Sequence, residues 1–341
     1  MPSTIRTIAW IGDHHLRHAL PEQGFDVRRV YLEPDEVLVW KSILLRAGCE
    51  PDCVVYADQS QPPPVVGLEL FPCPTVFYCV DSHVHSWYPV YAQAFDGCAV
   101  SLKDHLPRFR GRLTEERLLW LPPAPRDIDV PRQGDERWDL LFVGHVNPET
   151  TPGRVAFLKR LGLLAPGLHV AQGDFRELYA HARLVLNVAE RGDLNFRVFE
   201  ALACGKCLLT PSVGHGQAEL FQDGVHLFTY PGDDAEAAAS LAKRLLADEA
   251  TRRQVAAQGF AEIERAHRLR HRAEQFATWL RALPGQGLVE DRIARAEAIH
   301  GHNLKLLYLH WAAQTGNETA AARYLAAATY YDRLRTARPA M

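Results

Sequence analysis

Short apolar runs that recur along the chain constrain its fold more than any other feature. One series precedes residue 122 and a second begins near residue 138. The runs are TIAWIG, DVRRVYL, DCVVYAD, TVFYCVD, GCAVSL and LLWLPP, then DLLFVGHV, LHVAQGD, RLVLNVAE, KCLLTP and HLFTY. Runs that are apolar on both faces are typical of strands buried on both sides, and amphipathic stretches such as EVLVWKSILLRAG lie between several of them. The pattern predicts an α/β protein with parallel sheets covered by helices.

A proline-rich stretch separates the two series. Residues 122–138, PPAPRDIDVPRQGDERW, carry four prolines and alternating charge without periodicity, which is typical of an exposed connection. We therefore expect two doubly wound, Rossmann-like domains at residues 1–125 and 139–284, joined by a linker at residues 126–138. Two such domains would face a cleft between the carboxyl ends of their sheets, where open α/β sheets bind ligands.

The chain is almost entirely helical in pattern from Asp233 onward, and residues 285–341 are predicted to form a separate helical tail. A small-residue turn at Gly316 and Asn317 joins two amphipathic helices, which resembles a single tetratricopeptide-type hairpin. One such unit is not stable alone, so its apolar surface must cover something. We expect docking on the body of the protein, on a second copy in a homo-oligomer, or on a peptide acceptor. The apolar and aromatic residues that two isolated helices could not bury between themselves are Trp311, Tyr324, Leu325, Tyr330 and Tyr331.

Composition excludes several classes of protein. The 38 basic and 41 acidic residues give a net charge of −3, which offers no field for polyanions, so nucleic acid is not an expected partner. No apolar stretch reaches the roughly 18 residues that cross a bilayer, and none precedes His14 and His15. We expect no membrane span and a cytoplasmic location.

The seven cysteines are odd in number and lie mostly in apolar runs, which is typical of reduced, buried thiols. Cys204 and Cys207 match the C-x-x-C spacing, but they stand where a helix ends and a strand begins. A redox motif of this kind belongs at a helix start, so we interpret the pair as packing.

Two common nucleotide-binding motifs are missing. The first strand of each series is followed by a lone glycine, Gly12 or Gly144, where a nicotinamide-binding domain has G-x-G-x-x-G. The chain also lacks the G-x-x-x-x-G-K-[ST] sequence of P-loop proteins. Dinucleotide binding and P-loop chemistry are therefore disfavoured.

The most informative stretch is NVAERGDLNFRVFEALACGKCLLTP, residues 187–211. A glycine-containing loop leads into a helix near Asn195, which Asp193 or Asn195 can cap, and whose free N–H groups form an anion site. Arg197 in the first turn is a cation at the positive helix end, which indicates an anion between them. Glu200 can accept two hydrogen bonds from a vicinal diol such as a ribose. The alternative is a surface ion pair between Arg197 and Glu200 of little energetic value.

This stretch resembles the carboxyl-terminal domain of GT-B glycosyltransferases, in particular the CgeB-like group related to retaining glycosyltransferase family 4. The resembling segments are FRVFEALACGKCLLT, AELFQDGVHLFTY and the helices from DDAEAAASLAKRLLADEATRRQVAAQGFAEIERAH to RHRAEQF. FYCVDSHVHSWY and DLLFVGHVNPE fit the same order, so the likeness covers about residues 50–280. It implies a transferase of hexosyl or related groups with an acceptor domain followed by a nucleotide-sugar domain, retention of configuration, and no metal or other cofactor.

The resemblance also implies roles for individual residues. Glu200 would bind the nucleotide ribose, Arg197 the diphosphate, and Asn195 would shape the loop, while Gly144 and His145 would pass close to the phosphates. Many family-4 enzymes have a further glutamate eight residues before the ribose-binding one, and that position here is Gly192. The motif therefore offers no carboxylate for the donor sugar at that place.

A second polar group, Asp81-Ser82-His83-Val84-His85, follows the strand TVFYCV. In the resembling enzymes this strand end belongs to the acceptor side, so Asp81, His83 and His85 are the predicted catalytic residues, which orient a hydroxyl or contact the donor sugar. A structural or capping role is an alternative, and the His-x-His pair also matches metal sites of hydrolases. His14 and His15 follow the first strand and are weaker candidates.

The expected partners are a nucleotide sugar and a protein or glycan acceptor. Two other functions fit the same residues. One is a nucleotide-sugar epimerase or hydrolase on the same scaffold. The other is a catalytically silent nucleotide-sugar-binding protein that acts through its helical tail.

Overall fold

A computed structural model describes residues 5–337, so residues 1–4 of the predicted first domain and 338–341 of the predicted tail lie outside the described residues. The chain divides into two compact units. The first unit comprises the residues up to Leu121 together with those from Ala273 onward, and the second runs from Pro122 to Arg272. This division differs from the predicted linker at 126–138 and the predicted boundary at 284.

The first unit contains a six-stranded parallel sheet in the order β2-β1-β3-β4-β5-β6. Each apolar run of the first series forms one strand, as expected. The elements are β1 Thr7–Ile11, β2 Asp26–Val30, α1 Trp40–Ala47, β3 Cys53–Ala57, β4 Thr75–Cys79, α2 Tyr88–Ala92, β5 Gly97–Val100 and β6 Leu118–Trp120. Short 3₁₀ turns occupy His15–His18, Pro21–Gln23, Leu68–Leu70, Lys103–Phe109 and Glu115–Arg117.

The prediction that strands are buried on both faces is confirmed for the central strands and is wrong for the edge strand β2. Every residue of β3, β4 and β5 is buried, whereas most of β2 is exposed or half-buried. The reason is that β2 has a neighbour on one side only, so its Asp26, Arg28 and Arg29 reach solvent.

The second unit contains a five-stranded parallel sheet in the order β11-β10-β9-β7-β8. Its strands are again the predicted runs, and β8 is a largely exposed edge strand. The elements are β7 Trp138–Val143, α3 Pro152–Leu164, β8 Leu168–Ala171, α4 Phe175–Ala180, β9 Ala182–Leu186, α5 Phe196–Ala203, β10 Leu208–Ser212, α6 Gln217–Leu220, β11 Phe228–Pro231, α7 Ala235–Ala247 and α8 Glu249–Glu262.

Both sheets have the same topology, because the first strand of each lies between the second and the third. The strand order therefore reverses between β1 and β3 in the first unit and between β7 and β9 in the second. In open parallel sheets the crevice at the carboxyl ends of two such strands is the usual ligand site. Each unit consequently has one crevice where a ligand is expected, at the carboxyl ends of β1 and β3 or of β7 and β9.

The remaining helices follow a π-helical turn at Ile263–His267. They are α9 Leu269–Ala282, α10 Gln286–Ala294, α11 Ala296–Ile299, α12 Lys305–Gln314, α13 Glu318–Ala328 and α14 Tyr330–Ala337, with a second π turn at His300–Leu304. The boundary between the units falls within α9, after Arg272.

The helices of the predicted tail belong to the core of the first unit. Tyr324 donates a hydrogen bond to the Pro63 carbonyl at 2.9 Å, and the Trp311 ring lies 6.3 Å from that of Trp87. Of the uses expected for the α12 and α13 hairpin, the structure shows docking on the chain's own body. Leu325 and Tyr330 stay 51% and 39% exposed, and self-association through these helices remains a prediction.

All seven cysteines are free thiols and six are buried, which confirms the packing interpretation. Burial raises the pKa of Cys204 and Cys207 to about 12, so neither thiol is reactive at neutral pH. Within residues 5–337, the helices are all too short or too polar to cross a bilayer.

Candidate functional site

Arg197 lies across the crevice between β7 and β9. Its Nε donates to the Val143 carbonyl at the end of β7, at 3.0 Å. Its Nη1 donates to Oδ1 of Asn187, which directly follows β9, at 2.9 Å. Arg197, which is predicted to bind a diphosphate, is therefore fixed in the crevice where an open parallel sheet usually binds its ligand.

Gly144 is the residue that leaves room for this arginine. A Cβ atom there would lie 2.6 Å from Nη2 of Arg197 and 3.1 Å from the Phe142 ring, over which the guanidinium sits at 4.8 Å. Glycine at this position thus lets Arg197 and Phe142 stack beside the loop. His145, the next residue, has an exposed side chain, and its carbonyl accepts a hydrogen bond from Arg154.

The amino terminus of α5 lacks the side-chain cap that the sequence predicts. Asn195 is the N-cap residue and has extended backbone, but its side chain accepts no hydrogen bond from the first turn. The Asn195 Oδ1 atom is instead buried without a hydrogen-bond partner. The capping prediction is wrong. The Val198 N–H donates to the Asn195 carbonyl, and the positive end of the helix dipole lies at this terminus without a carboxylate cap.

Glu200 is half-buried, and it does not form the surface ion pair with Arg197 that was the alternative to ligand binding. In the described part of the chain no hydrogen-bonded ion pair joins it to Arg197. Burial raises the pKa of Glu200 to about 7, and the Asp129 carboxylate adds to the rise, while Arg197 and Arg126 oppose it. Asp129 is itself buried and paired with Arg176 at 2.7 Å. Glu200 is thus a carboxyl group whose charge changes near neutral pH.

Asn187 and Tyr230 support Arg197 and were not predicted from the sequence. Asn187 is 1% exposed and donates to the Thr210 hydroxyl at 2.9 Å, while its carbonyl accepts from the Tyr230 hydroxyl at 2.6 Å. The only signal was an asparagine at the end of the apolar run RLVLNVAE. These bonds fix the Oδ1 atom that holds Arg197.

Glu190 occupies the amino terminus of α3. Its carboxylate accepts hydrogen bonds from the backbone N–H groups of Gly153 at 3.1 Å and Arg154 at 2.7 Å. Thr151 precedes the helix, but its hydroxyl bonds to Asn147 and does not cap. A carboxylate from the loop after β9 takes the place of the usual N-cap side chain.

A pocket of about 720 Å³ lies beside Glu190 at the carboxyl edge of the second sheet. It is bounded by the loops after β9, β10 and β11 and by the first turns of α3 and α7. Its size suits a small ligand group. Gly192, the position that departs from the family motif, is one of its lining residues.

In the first unit, Asp81 and His85 are held together by Ser60. The Ser60 hydroxyl donates to Asp81 Oδ2 at 2.8 Å, and the Ser60 carbonyl lies 3.1 Å from His85 Nε2. Ser60 adopts φ of 55°, a left-handed conformation that is strained for a residue with a side chain. The surrounding bonds maintain this strain at the carboxyl edge of the sheet.

Asp58 is the residue that organises this loop, and sequence reasoning missed it. It is 6% exposed and accepts hydrogen bonds from the Tyr88 hydroxyl at 2.6 Å and from the backbone N–H groups of Ser60 and Asp81 at 2.8 and 3.2 Å. Burial raises its pKa to about 6. The available signal was the polar residue that ends the run DCVVYAD.

The hydrogen bond of His85 fixes its tautomer. A carbonyl oxygen can only accept, so Nε2 carries the proton and Nδ1 of the neutral ring keeps its lone pair. His85 can thus accept a hydrogen bond from a ligand hydroxyl. His83 is separate from this network, and its buried Nδ1 has no hydrogen-bond partner. In the described part of the chain, no three His, Cys, Asp or Glu side chains cluster as metal ligands would.

Known proteins resemble the chain in sequence over part of its length and in fold over most of it. A sequence model of the family described as glycosyl transferase-like matches residues 145–278, which include Arg197 and Glu200. No curated protein matches the chain significantly.

Three solved structures resemble the chain over most of its length. HepE from Anabaena in complex with UDP-glucose is 12% identical, with a TM-score of 0.61 over 81% of this chain and 100% of that one. Sucrose-phosphate synthase from Thermosynechococcus elongatus is 13% identical, with a TM-score of 0.57 over 82% and 99% of the two chains. A glycosyltransferase from Rickettsia africae is 8% identical, with a TM-score of 0.56 over 81% and 97%.

The two parallel sheets and these matches establish the GT-B fold of glycosyltransferases for the chain. The fold expected from the resemblance is confirmed, and assignment to the CgeB-like group stays a prediction.

Proposed function

We propose that the protein is a metal-independent glycosyltransferase that moves a sugar from a nucleoside diphosphate sugar to a hydroxyl group of a protein or glycan. The observation that carries the proposal is Arg197, which bridges Val143 and Asn187 in the crevice between β7 and β9. The donor binds the second unit and the acceptor binds the first.

Arg197 and the first turn of α5 stabilise the departing diphosphate. Negative charge develops on the diphosphate as the glycosidic bond breaks, and prearranged donors aimed at that charge lower the barrier. Val143 and Asn187 hold the guanidinium in place, so little reorganisation is needed when the charge appears. Asn195 and His145 border the same loops and complete the proposed phosphate environment.

Glu200 binds the ribose of the donor. It lies one turn beyond Arg197 on the same helix, a spacing that suits a ribose adjoining a bound diphosphate. As a carboxylate it accepts hydrogen bonds from both ribose hydroxyls. The neighbouring Asp129 and the partial burial of Glu200 keep its charge sensitive to a ligand.

His85 orients a sugar or acceptor hydroxyl through Nδ1. Ser60 and Asp81 position it, and His83 supplies a second imidazole in the same loop. We assign the protein the retention of anomeric configuration on the strength of the family-4 resemblance. Proton NMR of the first product, read at the anomeric coupling, tests that assignment.

The experiment that tests the function is a thermal-shift panel of UDP, GDP, dTDP, ADP and CMP sugars, followed by turnover with acceptors. UDP-glucose is the first donor to try, since the similar HepE structure contains it. A donor at a hundred times its dissociation constant adds about 2.7 kcal/mol of stability. We expect one nucleotide class to raise the melting temperature of the wild type and of Arg253→Ala, an exposed α8 variant, but not of Arg197→Ala.

Turnover then separates the alternatives. Transfer that requires an acceptor and survives excess EDTA supports the proposal. Product formed without an acceptor indicates the epimerase or hydrolase, and donor binding without turnover over a broad acceptor panel indicates the silent binding protein. If no nucleotide sugar shifts the melting temperature, the proposed function is wrong.

A further inference from the structure

A second, cationic pocket lies in the first unit, away from the residues described above. Its volume is about 600 Å³. We call it the arginine pocket, because four arginines line it together with a histidine and an asparagine, and none of its lining residues is acidic. These residues are Arg108, Arg110, Arg112, Arg295, His302 and Asn303.

The arginine pocket is at the amino edge of the sheet. Arg112 donates through Nε to the Gln93 carbonyl at 2.7 Å and through Nη2 to the Phe95 carbonyl, just before β5 begins at Gly97. Asp58 and Asp81 follow the carboxyl ends of β3 and β4, at the opposite edge. The pocket is therefore not part of the proposed acceptor site.

One wall of the pocket is built by internal hydrogen bonds. Gln93 is 8% exposed, accepts from the Arg112 backbone N–H at 2.7 Å and donates to the carbonyls of Phe109 at 2.9 Å and Pro89 at 3.1 Å. Gly111 fits against it with φ of 148°, and a Cβ there would lie 2.8 Å from Gln93 Oε1. These contacts hold the backbone of Gly111 and Arg112 in place before any ligand binds.

The charges of the pocket are only partly compensated. Burial lowers the pKa of Arg112 to about 10; Asp96 and Asp291 oppose the decrease, while Arg117 and Arg292 add to it by repulsion. Arg110 pairs with Glu115, and Arg295 pairs with Asp291. Because both pairs lie at the surface, either arginine can leave its carboxylate for a phosphate at little cost in free energy. With a net charge of −3 for the whole chain, this concentration of positive charge is a local feature.

The π-helical turn His300–Leu304 brings two further polar side chains to the pocket. His302 and Asn303 lie within this turn and line the cavity. Turns of this kind occur mostly as single turns inside α-helices, frequently at functional sites. The arginines and the turn come from distant parts of the sequence, so their meeting is a property of the folded unit.

We propose that the arginine pocket binds a small phosphate-bearing ligand at a site distinct from the donor and acceptor sites. Guanidinium groups form paired hydrogen bonds with phosphate oxygens, and several arginines around one cavity suit more than one phosphate charge. The volume accommodates a sugar phosphate or a nucleotide.

The test is a calorimetric titration of inorganic pyrophosphate in an Arg197→Ala background, which removes the proposed diphosphate contact of the donor site. Adding Arg108→Ala and Arg295→Ala is expected to raise the dissociation constant at least tenfold. Adding Arg253→Ala, an exposed arginine of the second unit, is expected to change nothing. Unchanged affinity in the Arg108 and Arg295 variant overturns the proposal.

Two further arms keep the result decisive. If the alanine variant fails to fold, Arg108→Lys with Arg295→Lys keeps the charge but loses the paired hydrogen bonds, and weaker pyrophosphate binding is still expected. Vesicles containing anionic phospholipid are tested in parallel. Arginine-dependent binding to the vesicles without binding to pyrophosphate overturns the soluble ligand in favour of a lipid headgroup.

Discussion

Two carboxyl groups with raised pKa values, Glu200 and Asp58, distinguish the candidate sites at the scale of single residues. Burial raises the first to about 7 and the second to about 6. Carboxyl groups of this kind are common where a protein binds or transforms a ligand. The two groups differ because the oxygens of Asp58 accept hydrogen bonds from the protein itself. The oxygens of Glu200 are available to accept hydrogen bonds from a ligand.

The pKa of Glu200 predicts a pH dependence of donor binding. As the pH rises from 6 to 8, Glu200 loses its proton and becomes the better acceptor for ribose hydroxyls, so UDP-glucose affinity is expected to rise severalfold. The Glu200→Gln variant should bind weakly at both pH values. Calorimetry across this range measures the effect, because the donor's diphosphate diester does not titrate there.

The sign of this dependence identifies its origin. A histidine in contact with the phosphates would give the opposite slope, because a histidine loses its positive charge as the pH rises. The assignment to Glu200 fails if Glu200→Gln keeps the wild-type pH dependence.

Arg197 and Glu200 could be proposed from the sequence because one short helix fixes their spacing. Their partners could not, since the Val143 carbonyl that holds Arg197 is 54 residues away in the chain. Asn187 and Asp58 each appear in the sequence as one polar residue at the end of an apolar run. Only the sheet order shows which of these strand ends meet.

At the scale of elements, the two helices beside the proposed donor site differ at their amino termini. Glu190 satisfies two N–H groups of α3, whereas α5 has no side-chain cap. A helix start already occupied by a carboxylate is a poor site for a phosphate. The difference favours α5 as the phosphate-binding helix.

Glu190→Ala tests the cap of α3. Loss of two charge-assisted hydrogen bonds is expected to lower the free energy of unfolding by about 0.5–2 kcal/mol. Glu149→Ala is the matched control, since Glu149 is an exposed carboxylate just before the same helix. Urea unfolding followed by tryptophan fluorescence measures both variants. Equal stability of the two would show that Glu190 does not cap α3.

The predicted strands all exist because hydrophobic runs between turn residues are local signals. The sequence could not show which strands are edges, and β2 and β8 are therefore more exposed than expected. The π-helical turns were also missed, because the extra residue of such a turn leaves no mark in composition.

At the scale of the whole molecule, the carboxyl-terminal helices complete the first unit. Arg292 of α10 is 0% exposed and pairs with the buried Asp96, and its guanidinium also donates to the Thr75 hydroxyl at 2.9 Å and the Cys73 carbonyl at 3.1 Å. The sequence predicted a separate tail from its helical pattern, which does not show that one arginine of these helices is buried in the first unit. The partner carboxylate lies 196 residues away.

Arg292→Ala is expected to destabilise the first unit severely. It leaves Asp96 buried without its cation, a loss of about 3–5 kcal/mol. Arg335→Ala, which breaks an exposed pair with Asp332, should cost less than about 1 kcal/mol. Thermal unfolding monitored by circular dichroism compares them. Similar melting temperatures for the two variants would mean that the helices are not integral to the unit.

The proposed function depends most on Arg197, which would bind the diphosphate of the donor in the crevice between β7 and β9. Calorimetric titration of UDP-glucose, or of the nucleotide sugar selected by the panel, into wild type, Arg197→Ala and Arg253→Ala tests it directly. A lost charged hydrogen bond of about 1.5–3 kcal/mol predicts an affinity roughly tenfold to 150-fold lower for Arg197→Ala, with Arg253→Ala equal to wild type. Wild-type affinity in a folded Arg197→Ala protein would contradict the account.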